Sequence, residues 1–272
     1  MIRGIVALAL ALAFCAPASA LGAPSTELER YAPTLRYDAA EDYFAQPVSP
    51  ASARIDRDVV YGHEVRDGVT RFLQYWLYYP YNDQDRGLLA TGRHEGDWEF
   101  VQVRLEGGEP EAVTFAQHST AERCGWDEVE ASPTGGPVVY VANGSHASYR
   151  RAGTVDRPWP DPNDEAGGDG AEVEPELVEI HEHRPAWVAD PMPWGDSEEG
   201  WFPGEQGSPP GPAFQEDDRW DQPAAYEAAA RACGEPPPGG DWQAPAVVGL
   251  VLAGIGFTAI VVWRRRRRRA TP

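Results

Sequence analysis

Residues 94–105, HEGDWEFVQVRL, contain the pattern that decides the fold. Side chains alternate between the two faces of a β-strand. One face of this stretch therefore holds two carboxylates followed by three apolar residues, in the order Asp97, Glu99, Val101, Val103 and Leu105. Because most of this face is apolar, it is predicted to look into a core, with both carboxylates at its inner mouth.

Three further apolar stretches have the length and composition of buried strands. They are Leu73–Tyr81, which holds five aromatic residues, Val113–Gln117 and Val138–Ala142. Turn-forming residues such as Gly107-Gly108 separate them. Short strands at this spacing predict a mainly β fold, a β-sandwich with a few short helices.

Two short helices and two irregular segments complete the predicted domain. Capping-box residues after Ser25 predict one helix, and the alanine-rich stretch after Pro223 predicts the other. Residues 156–176 are rich in Asp, Glu, Gly and Pro, so we expect a mobile acidic loop. Residues 190–222 are irregular but carry five large aromatic side chains, so we expect this segment to pack on the body of the domain.

The two ends of the chain predict export and anchoring. Residues 1–20 hold an arginine, an apolar run and then small residues, which is the order of a signal peptide; an uncleaved anchor is the alternative. Residues 245–263 carry no charge, and at ~1.5 Å per residue they would form a transmembrane helix about 28 Å long. The basic tail, 264–272, begins with six arginines, which are typical of the cytoplasmic side.

These ends lead to a predicted organisation and location. The domain would occupy residues 21–233 outside the cell, and a Pro/Gly stalk, 234–244, would join it to a single-pass helix in the cell membrane. An apolar segment with a basic tail is also the form of a surface-sorting signal that is later cleaved. The tail is therefore either a permanent anchor or a processed signal, and the sequence indicates no oligomeric state.

The charge balance limits the class of partner. All 43 acidic residues and 16 of the 23 basic residues lie between the signal segment and the tail, which gives the domain a formal charge of −27. Such a charge argues against nucleic acid and anionic lipid surfaces as partners. It fits divalent cations or basic ligands, or it serves solubility alone.

Two cysteines remain in the predicted exported domain, Cys124 and Cys233. In an oxidising compartment we expect one disulfide, which would close a loop of about 110 residues. Two free thiols are the alternative. The bond would fasten the last part of the domain to its middle.

Histidines near the predicted strand ends extend the carboxylate pair into a candidate metal site. His94 lies three residues before Asp97, and His118 and His146 each follow a predicted strand. If those strands are neighbours, the imidazoles converge on Asp97 and Glu99. An oxygen-rich set with one to three imidazoles suits magnesium, calcium, manganese or zinc.

The alternative to a metal is pairing with arginine. Burying a carboxylate without a partner is costly, and Arg71 or Arg93 could satisfy the two inward carboxylates instead. A second histidine pair, His181 and His183, alternates on one predicted strand face. Exposure to solvent is the expected state of that pair, and metal binding is the alternative.

Four motifs give the sequence a family resemblance. They resemble the vacuolar protein sorting 62 family and are YWLYY at 75–79, HEGDWE at 94–99, QHS at 117–119 and VYVANGSHASY at 139–149. Residues 193–223 look like that family's C-terminal pattern, so the resemblance covers roughly residues 60–225. The biochemical role of the family is poorly defined, and the resemblance therefore implies kinship more than activity.

A more distant resemblance concerns the metal. The His-x-x-Asp-Trp-Glu core of residues 94–99, with the turn at 79–83 before it, is similar to motifs of the necrosis-inducing, cytolysin-like proteins. This resemblance implies a β-sandwich and a divalent cation used in binding membrane sphingolipid head groups. The ligands that it implies are His94, Asp97, Glu99 and either Asp83 or Asn82. The sequence departs from the pattern at Gly96, where the toxins have a histidine, and the turn acid is not uniquely placed.

The predicted function is ligand binding at the cell surface through a divalent-metal site. The ligand would be a glycan or a lipid head group. The candidate metal ligands are His94, Asp97, Glu99, Asp83, His118 and His146. A metal-dependent hydrolase, with His118 or His146 as general base, is one alternative. A structural envelope protein without metal is the other.

Overall fold

The structure, a computed structural model, describes residues 25–48, 58–84, 92–157, 161–182, 184–195, 207–215 and 219–237. The strands in these ranges are β1 (Thr34–Arg36), β2 (Val59–Asp67), β3 (Thr70–Asn82), β4 (His94–Glu106), β5 (Glu109–Gln117), β6 (Thr120–Gly125), β7 (Val138–Val141), β8 (Ser148–Tyr149), β9 (Gly153–Val155), β10 (Asp164–Ala166), β11 (Glu172–Val173), β12 (Glu176–Glu179) and β13 (Arg231–Ala232). The α-helices are α1 (Thr26–Arg30) and α2 (Pro223–Ala229), and short 3-10 helices lie at Trp126–Glu128, Ala186–Ala189 and Pro212–Phe214. The described fold is mainly β with few and short helices.

The strands form a large sheet, a smaller sheet and a ribbon. The large sheet has seven strands in the order β12-β2-β3-β4-β5-β6-β13, and the smaller has four in the order β11-β1-β7-β8. Strands β9 and β10 pair as a ribbon. From β2 to β6 each strand pairs antiparallel with the next. Between β4 and β5 the loop residues Gly107 and Gly108 have φ of 61° and 97°, the positive values that a two-residue type I′ hairpin requires.

The large and the four-stranded sheets pack face to face. One buried cluster joins alternate residues of β3 and β4, such as Tyr75 and Val101, to Leu35 of β1 and Val139 of β7. Two sheets packed in this way form a β-sandwich. The inner face of β4 is the one that the alternation in the sequence predicted.

The outer face of the large sheet is covered by the C-terminal part of the domain. Trp76 and Phe100 on this face join Trp220 and Tyr226 in a second buried cluster. The predicted packing of the aromatic segment 190–222 is therefore confirmed for Trp194 and Trp220, whereas Phe214 is 47% exposed. Because both faces of β3 are covered, this strand is nearly continuously apolar and does not alternate.

The acidic segment 156–176 differs from its prediction as a mobile loop. It contributes β10 and β11, and β11 pairs antiparallel with β1. Within it, Asp164 is 1% exposed and Ala166 is 2% exposed. Composition alone missed this arrangement, because a strand of two or three residues is too short to produce a periodic pattern.

The predicted disulfide is confirmed. Cys124, at the end of β6, is bonded to Cys233. Beside the bond, β13 pairs parallel with β6, with Arg231 opposite Glu122. The bond and this short pairing together fasten the end of the domain to the edge of the large sheet.

The predicted transmembrane helix requires correction. In the part of the chain that the structure describes, no helix is long and apolar enough to cross a membrane. The stretch chosen for it, 245–263, lies outside the described residues, as do the predicted signal segment 1–20 and the tail 264–272. An uncharged run of about 20 residues meets the length requirement for a span, which is a necessary condition and not a sufficient one.

Candidate functional site

Asp97 and Glu99 lie on the inner face of β4. Their side chains share this face with Val101 and Val103, which are completely buried between the sheets. Asp97 is 7% exposed and Glu99 is 6% exposed. Two neighbouring carboxylates are therefore withdrawn from water. An ionised carboxylate is costly to bury in this way unless it has a partner.

His146 links Asp97 to Glu41. Its Nδ1 lies 3.0 Å from Oδ2 of Asp97, and its Nε2 lies 3.6 Å from Oε1 of Glu41. The ring is completely buried and stacks on Tyr79 with the centroids 3.9 Å apart. Burial disfavours the imidazolium, but the hydrogen bond to Asp97 and the charges of Asp97 and Glu41 outweigh it and raise the pKa of His146. The two carboxylates therefore favour the protonated form of this buried ring.

The turn after β3 supplies Asn82 to this cluster. Asn82 Nδ2 donates to Oδ2 of Asp97 at 3.2 Å, and Asn82 is buried. Asp83, the other residue suggested by the turn motif, lies with Oδ1 2.9 Å from Nε of Arg93, and 46% of its side chain is exposed. The structure brings Asn82 to Asp97 and places Asp83 at the surface.

His94 has a defined tautomer. Its Nδ1 lies 2.9 Å from the carbonyl oxygen of Gly96. Because a carbonyl oxygen only accepts, Nδ1 carries the proton, and in the neutral ring Nε2 keeps its lone pair. Histidines that bind metals are commonly oriented by such a bond from their second nitrogen. His94 is 5% exposed, so its ring is largely withdrawn from solvent.

A further buried carboxylate, Asp164, accepts four hydrogen bonds. Gln84 Nε2 and Ser145 Oγ donate to Oδ1 at 2.9 Å and 2.8 Å. Tyr149 Oη and His118 Nε2 donate to Oδ2 at 2.5 Å and 2.7 Å. Burial disfavours the carboxylate, but the hydrogen bond and charge of His118, the charge of Arg157 and the hydrogen bond of Tyr149 hold the pKa of Asp164 below its ordinary value.

Both Asp–His pairs use a histidine in an unusual backbone conformation. His118 has φ of 58° and His146 has φ of 57°. Among the described residues they are the only non-glycine positions with positive φ. Side chains other than glycine rarely occupy this region, and such strain concentrates at functional sites. In these strained conformations both imidazoles contact buried carboxylates, His118 that of Asp164 and His146 that of Asp97.

The carboxylates of both Asp–His pairs, Asp97 and Asp164, act electrostatically on Glu99. Burial, followed by the charge of Asp97, raises the pKa of Glu99 well above its usual range, and Asp164 acts in the same direction. Arg219 and Arg157 oppose this shift without cancelling it. The surroundings of Glu99 therefore favour the neutral form of its carboxyl group more than water does.

The arginines that the sequence offered as partners are engaged elsewhere. Arg71 lies 3.0 Å from Glu27 and 3.7 Å from Glu64. Arg93 lies 2.9 Å from Asp83. The arginines whose charges act on Glu99 are Arg219 and Arg157.

The predicted metal ligands lie in one region, but no three of their ligand atoms lie within 4.8 Å of one another among the described residues. In the described ranges, one set of three side chains has its ligand atoms within 4.8 Å of one another, namely Glu122, Cys124 and Cys233. The disulfide removes both thiolates from that set. Of the weaker histidine pair, His181 is exposed, and His183 lies outside the described residues.

Gly96 explains one departure from the toxin motif. Its φ is 67°, and a Cβ at this position would lie 3.3 Å from Cβ of Trp194 and 3.4 Å from Oη of Tyr78. A histidine here would need a left-handed backbone and the space that Trp194 fills. The aromatic packing of the C-terminal segment is therefore linked to glycine at this position.

Sequence reasoning missed Glu41, Asp164, Tyr149 and Arg157. Glu41 follows β1 in an irregular segment, and Asp164 lies in the stretch predicted as a mobile loop. The pattern VYVANGSHASY did contain Tyr149, so the family-like motif was the one signal available. Acidic residues outside periodic segments look like surface charges until the chain pairing is known.

All six predicted metal ligands fall in the segment that a family comparison identifies. Residues 62–157 match the family described as Vacuolar protein sorting-associated protein 62. The resemblance inferred from the four motifs is thereby confirmed over this range. A comparison with curated proteins finds no match.

A comparison with solved structures finds necrosis-inducing proteins, the group to which the sequence showed its more distant resemblance. Necrosis and Ethylene inducing Protein 2 from the causal agent of cocoa's Witches Broom disease is 13% identical, with 58% of this chain and 74% of that chain covered and a TM-score of 0.36. NLPPya in complex with glucosamine is 16% identical, with 55% and 70% covered and a TM-score of 0.37. The non-toxic HaNLP3 protein is 15% identical, with 59% and 78% covered and a TM-score of 0.38. At this level of similarity, the ligands and activities of those proteins cannot be assigned to this chain.

Proposed function

We propose that the domain binds a divalent cation at Asp97, Glu99 and His94 and uses it to hold an oxygen-rich ligand. The observation that carries the proposal is the pair of buried carboxylates on β4, where burial and then the charge of Asp97 raise the pKa of Glu99. A cation beside both would allow both to ionise. The tautomer of His94 leaves Nε2 as a ready ligand.

The donor set suits magnesium, calcium, manganese or zinc. Carboxylate oxygens dominate it, and a single neutral imidazole adds nitrogen. Such an ion would supply a fixed positive charge and open coordination positions. The hydroxyl or anionic oxygens of a glycan or a lipid head group are the ligands that such positions accept, which is why we propose these ligand classes.

The surrounding Asp–His pairs would orient the site. His146 is completely buried between Asp97 and Glu41, so it serves to fix Asp97 and does not reach a ligand from solvent. Asp164 holds His118 in the same manner. We therefore propose that His118 and His146 position the site, and that the direct ligands come from β4.

A metal-dependent hydrolase is the second candidate, favoured by one observation. His118 Nε2 donates to buried Asp164, and 14% of the His118 side chain is exposed. A partly exposed imidazole oriented by a carboxylate is the arrangement of a general base. Cation-dependent hydrolysis of a glycoside or ester panel that disappears in His118→Gln, while cation binding persists, would favour this candidate.

We also propose that the domain works outside the cytoplasm. The Cys124–Cys233 disulfide supports this, because such bonds persist in oxidising compartments. Thiol alkylation of protein taken directly from cells, before and after reduction, tests it. Two cysteines that react without reduction would contradict the proposal.

Calorimetric titration of chelator-treated protein tests the cation site. Wild-type protein should bind at least one of the four ions, and Glu99→Gln and Asp97→Asn should weaken binding about tenfold or more, because each removes one unit of ligand charge. Glu95→Gln is the matched control, since Glu95 is exposed on the same strand. Equal binding by all four proteins, or no binding by the wild type, would refute the site.

A further inference from the structure

Asn82 ends β3 beside the start of β4. In the antiparallel pairing of the two strands Asn82 lies opposite His94, and Tyr79 lies opposite Asp97. Asn82 is 7% exposed, so its side-chain amide has little contact with water and finds its partners within the protein. Asn82 therefore borders the stretch of β4 that carries the proposed cation ligands.

Two hydrogen bonds fix the orientation of this amide. The backbone N–H of Gln84 donates to Oδ1 of Asn82 at 3.0 Å, and Nδ2 of Asn82 donates to Oδ2 of Asp97 at 3.2 Å. Because a backbone N–H only donates and an ionised carboxylate only accepts, exchanging the amide oxygen and nitrogen would lose both bonds. The oxygen of Asn82 therefore faces its own turn, and the NH₂ group faces Asp97.

Two side-chain donors meet on one oxygen of Asp97. Nδ1 of His146 lies 3.0 Å from Oδ2, the same atom that accepts from Asn82. A carboxylate that binds a metal is deprotonated, and in that state Oδ2 accepts both bonds. Each carboxylate oxygen offers about two lone-pair positions, so the two donors fill Oδ2. Oδ1 is then the oxygen of Asp97 that is left for a cation.

Glu99 differs from Asp97 in its lack of donors. It is 6% exposed, and in the described part of the chain its side chain takes part in no hydrogen bond or ion pair. Nearly all buried polar side chains in folded proteins have such a partner, and an exception points to a bound ion or water. Both oxygens of Glu99 are therefore available to a ligand, whereas one oxygen of Asp97 is already engaged.

We infer that Asn82 makes Asp97 a ligand through one oxygen, and so biases the site towards small six-coordinate ions such as Mn²⁺ and Mg²⁺ over Ca²⁺. Small ions of this kind are bound octahedrally by a few single carboxylate oxygens and water. Ca²⁺ takes roughly six to eight oxygen ligands and often binds both oxygens of one carboxylate. The inference rests on the proposed cation site. It makes Asn82 a positioning residue, and not the metal ligand that the toxin resemblance implied.

Calorimetric titration of the chelator-treated full chain with Mn²⁺ and with Ca²⁺ tests this inference. Wild type should bind Mn²⁺ more tightly. Asn82→Leu keeps the side-chain volume but removes the donor, which frees one lone-pair position on Oδ2 of Asp97. Mn²⁺ affinity should fall about tenfold, as is usual when a contact behind a metal ligand is lost, and Ca²⁺ affinity should fall less, because Ca²⁺ can use the freed oxygen. The ratio of Ca²⁺ to Mn²⁺ affinity should therefore rise.

Asn143→Leu is the matched control, since Asn143 is an exposed amide in the turn before His146. This variant should keep the wild-type ratio. If Asn82→Leu does not fold, Asn82→Ala removes the same donor without adding an apolar side chain of equal size, and the same rise in the ratio is expected.

The outcomes separate this inference from the cation site. Equal weakening of both ions in the Asn82 variant is the result expected of a direct ligand or of a purely structural residue. It would overturn the selecting role of Asn82 and leave the cation site standing. Tighter binding of Ca²⁺ than of Mn²⁺ by wild type would do the same. No binding of either ion by any form would overturn the cation site and this inference with it.

Discussion

Nδ1 of His146, a completely buried ring, lies 3.0 Å from Oδ2 of Asp97. The pair orders the polar end of the core, because each partner would be an uncompensated buried group without the other. Removal of one member of a buried pair typically costs several kcal/mol, more than the pair itself contributes against an apolar replacement.

Replacement of His146 should therefore destabilise the fold. We expect His146→Ala to lower the free energy of unfolding by about 3–5 kcal/mol, measured by urea denaturation. His181→Ala is the matched control, since His181 is exposed and should change stability little. Equal stabilities of the two variants would show that Asp97 does not depend on His146.

The same pair gives a pH dependence with a definite sign. The pKa of His146 is raised above its ordinary value of 6.5, so the folded state binds its proton more tightly than the unfolded state does. This stabilisation is complete below pH 6.5 and is lost as the pH rises through the raised pKa. Unfolding midpoints measured upward from pH 6 should fall in wild type and should be flatter in His146→Ala.

The sequence predicted the part of the site that lies on regular strands. Alternation along residues 94–105 placed Asp97 and Glu99 inward, and the strand ends located His118 and His146. Glu41 and Asp164 could not be found in this way, because they lie in segments with no periodic pattern. Their positions follow from long-range pairing, such as that of β11 with β1 and of β10 with β9.

His63 should give acid sensitivity to the outer face of the large sheet. Its ring stacks on Trp220 with the centroids 3.7 Å apart, and its Nδ1 lies 3.0 Å from Oε1 of Gln74, whose amide donates to the carbonyl of Arg219. Burial lowers the pKa of His63 from 6.5 to about 4. The unfolded chain therefore takes up the proton first, and stability falls as the pH drops from 6.5 towards 4.

The size of this effect and its control follow from the same contacts. The fall should be at most roughly 3 kcal/mol, since each unit of pKa difference corresponds to about 1.4 kcal/mol. His63→Phe keeps an aromatic ring against Trp220 but cannot titrate, so the fall should shrink in this variant. His181→Gln should retain it. An unchanged slope in His63→Phe would assign the acid sensitivity to another group.

Asp164 should be intolerant of even the isosteric change to asparagine. Four donors converge on its two oxygens, and an amide would place N–H groups against two of them. We expect Asp164→Asn to cost about 3 kcal/mol or more of stability, because buried donors lose their acceptor. Glu174→Gln removes an acidic charge from an exposed position and should be nearly neutral. Comparable thermal midpoints for the two variants would show that the four hydrogen bonds to Asp164 do not depend on its carboxylate.

The Cys124–Cys233 bond should contribute substantially to stability, since it spans a sequence separation of 109 residues. In the chain-entropy account a loop of this length corresponds to roughly 4–5 kcal/mol. The double variant Cys124→Ser/Cys233→Ser should unfold at lower denaturant concentration by a corresponding amount. Reductant should lower the midpoint of the wild type and leave the double variant unchanged; a response of the double variant would point to an effect other than the bond.

Gly96 should be needed for two separable reasons, its backbone conformation and its contact with Trp194. Gly107 has nearly the same φ, 61° against 67°, but a Cβ there would meet nothing within 4 Å. Gly107→Ala should therefore cost only the left-handed backbone term of about 1–2 kcal/mol. Gly96→Ala should cost more, since its Cβ would lie 3.3 Å from Cβ of Trp194, and it should also weaken cation binding because the carbonyl of Gly96 orients His94. If Gly96→Ala and Gly107→Ala lower the free energy of unfolding equally in urea denaturation, Trp194 can move to accept the added methyl group. Glycine at position 96 would then be needed for its backbone conformation alone.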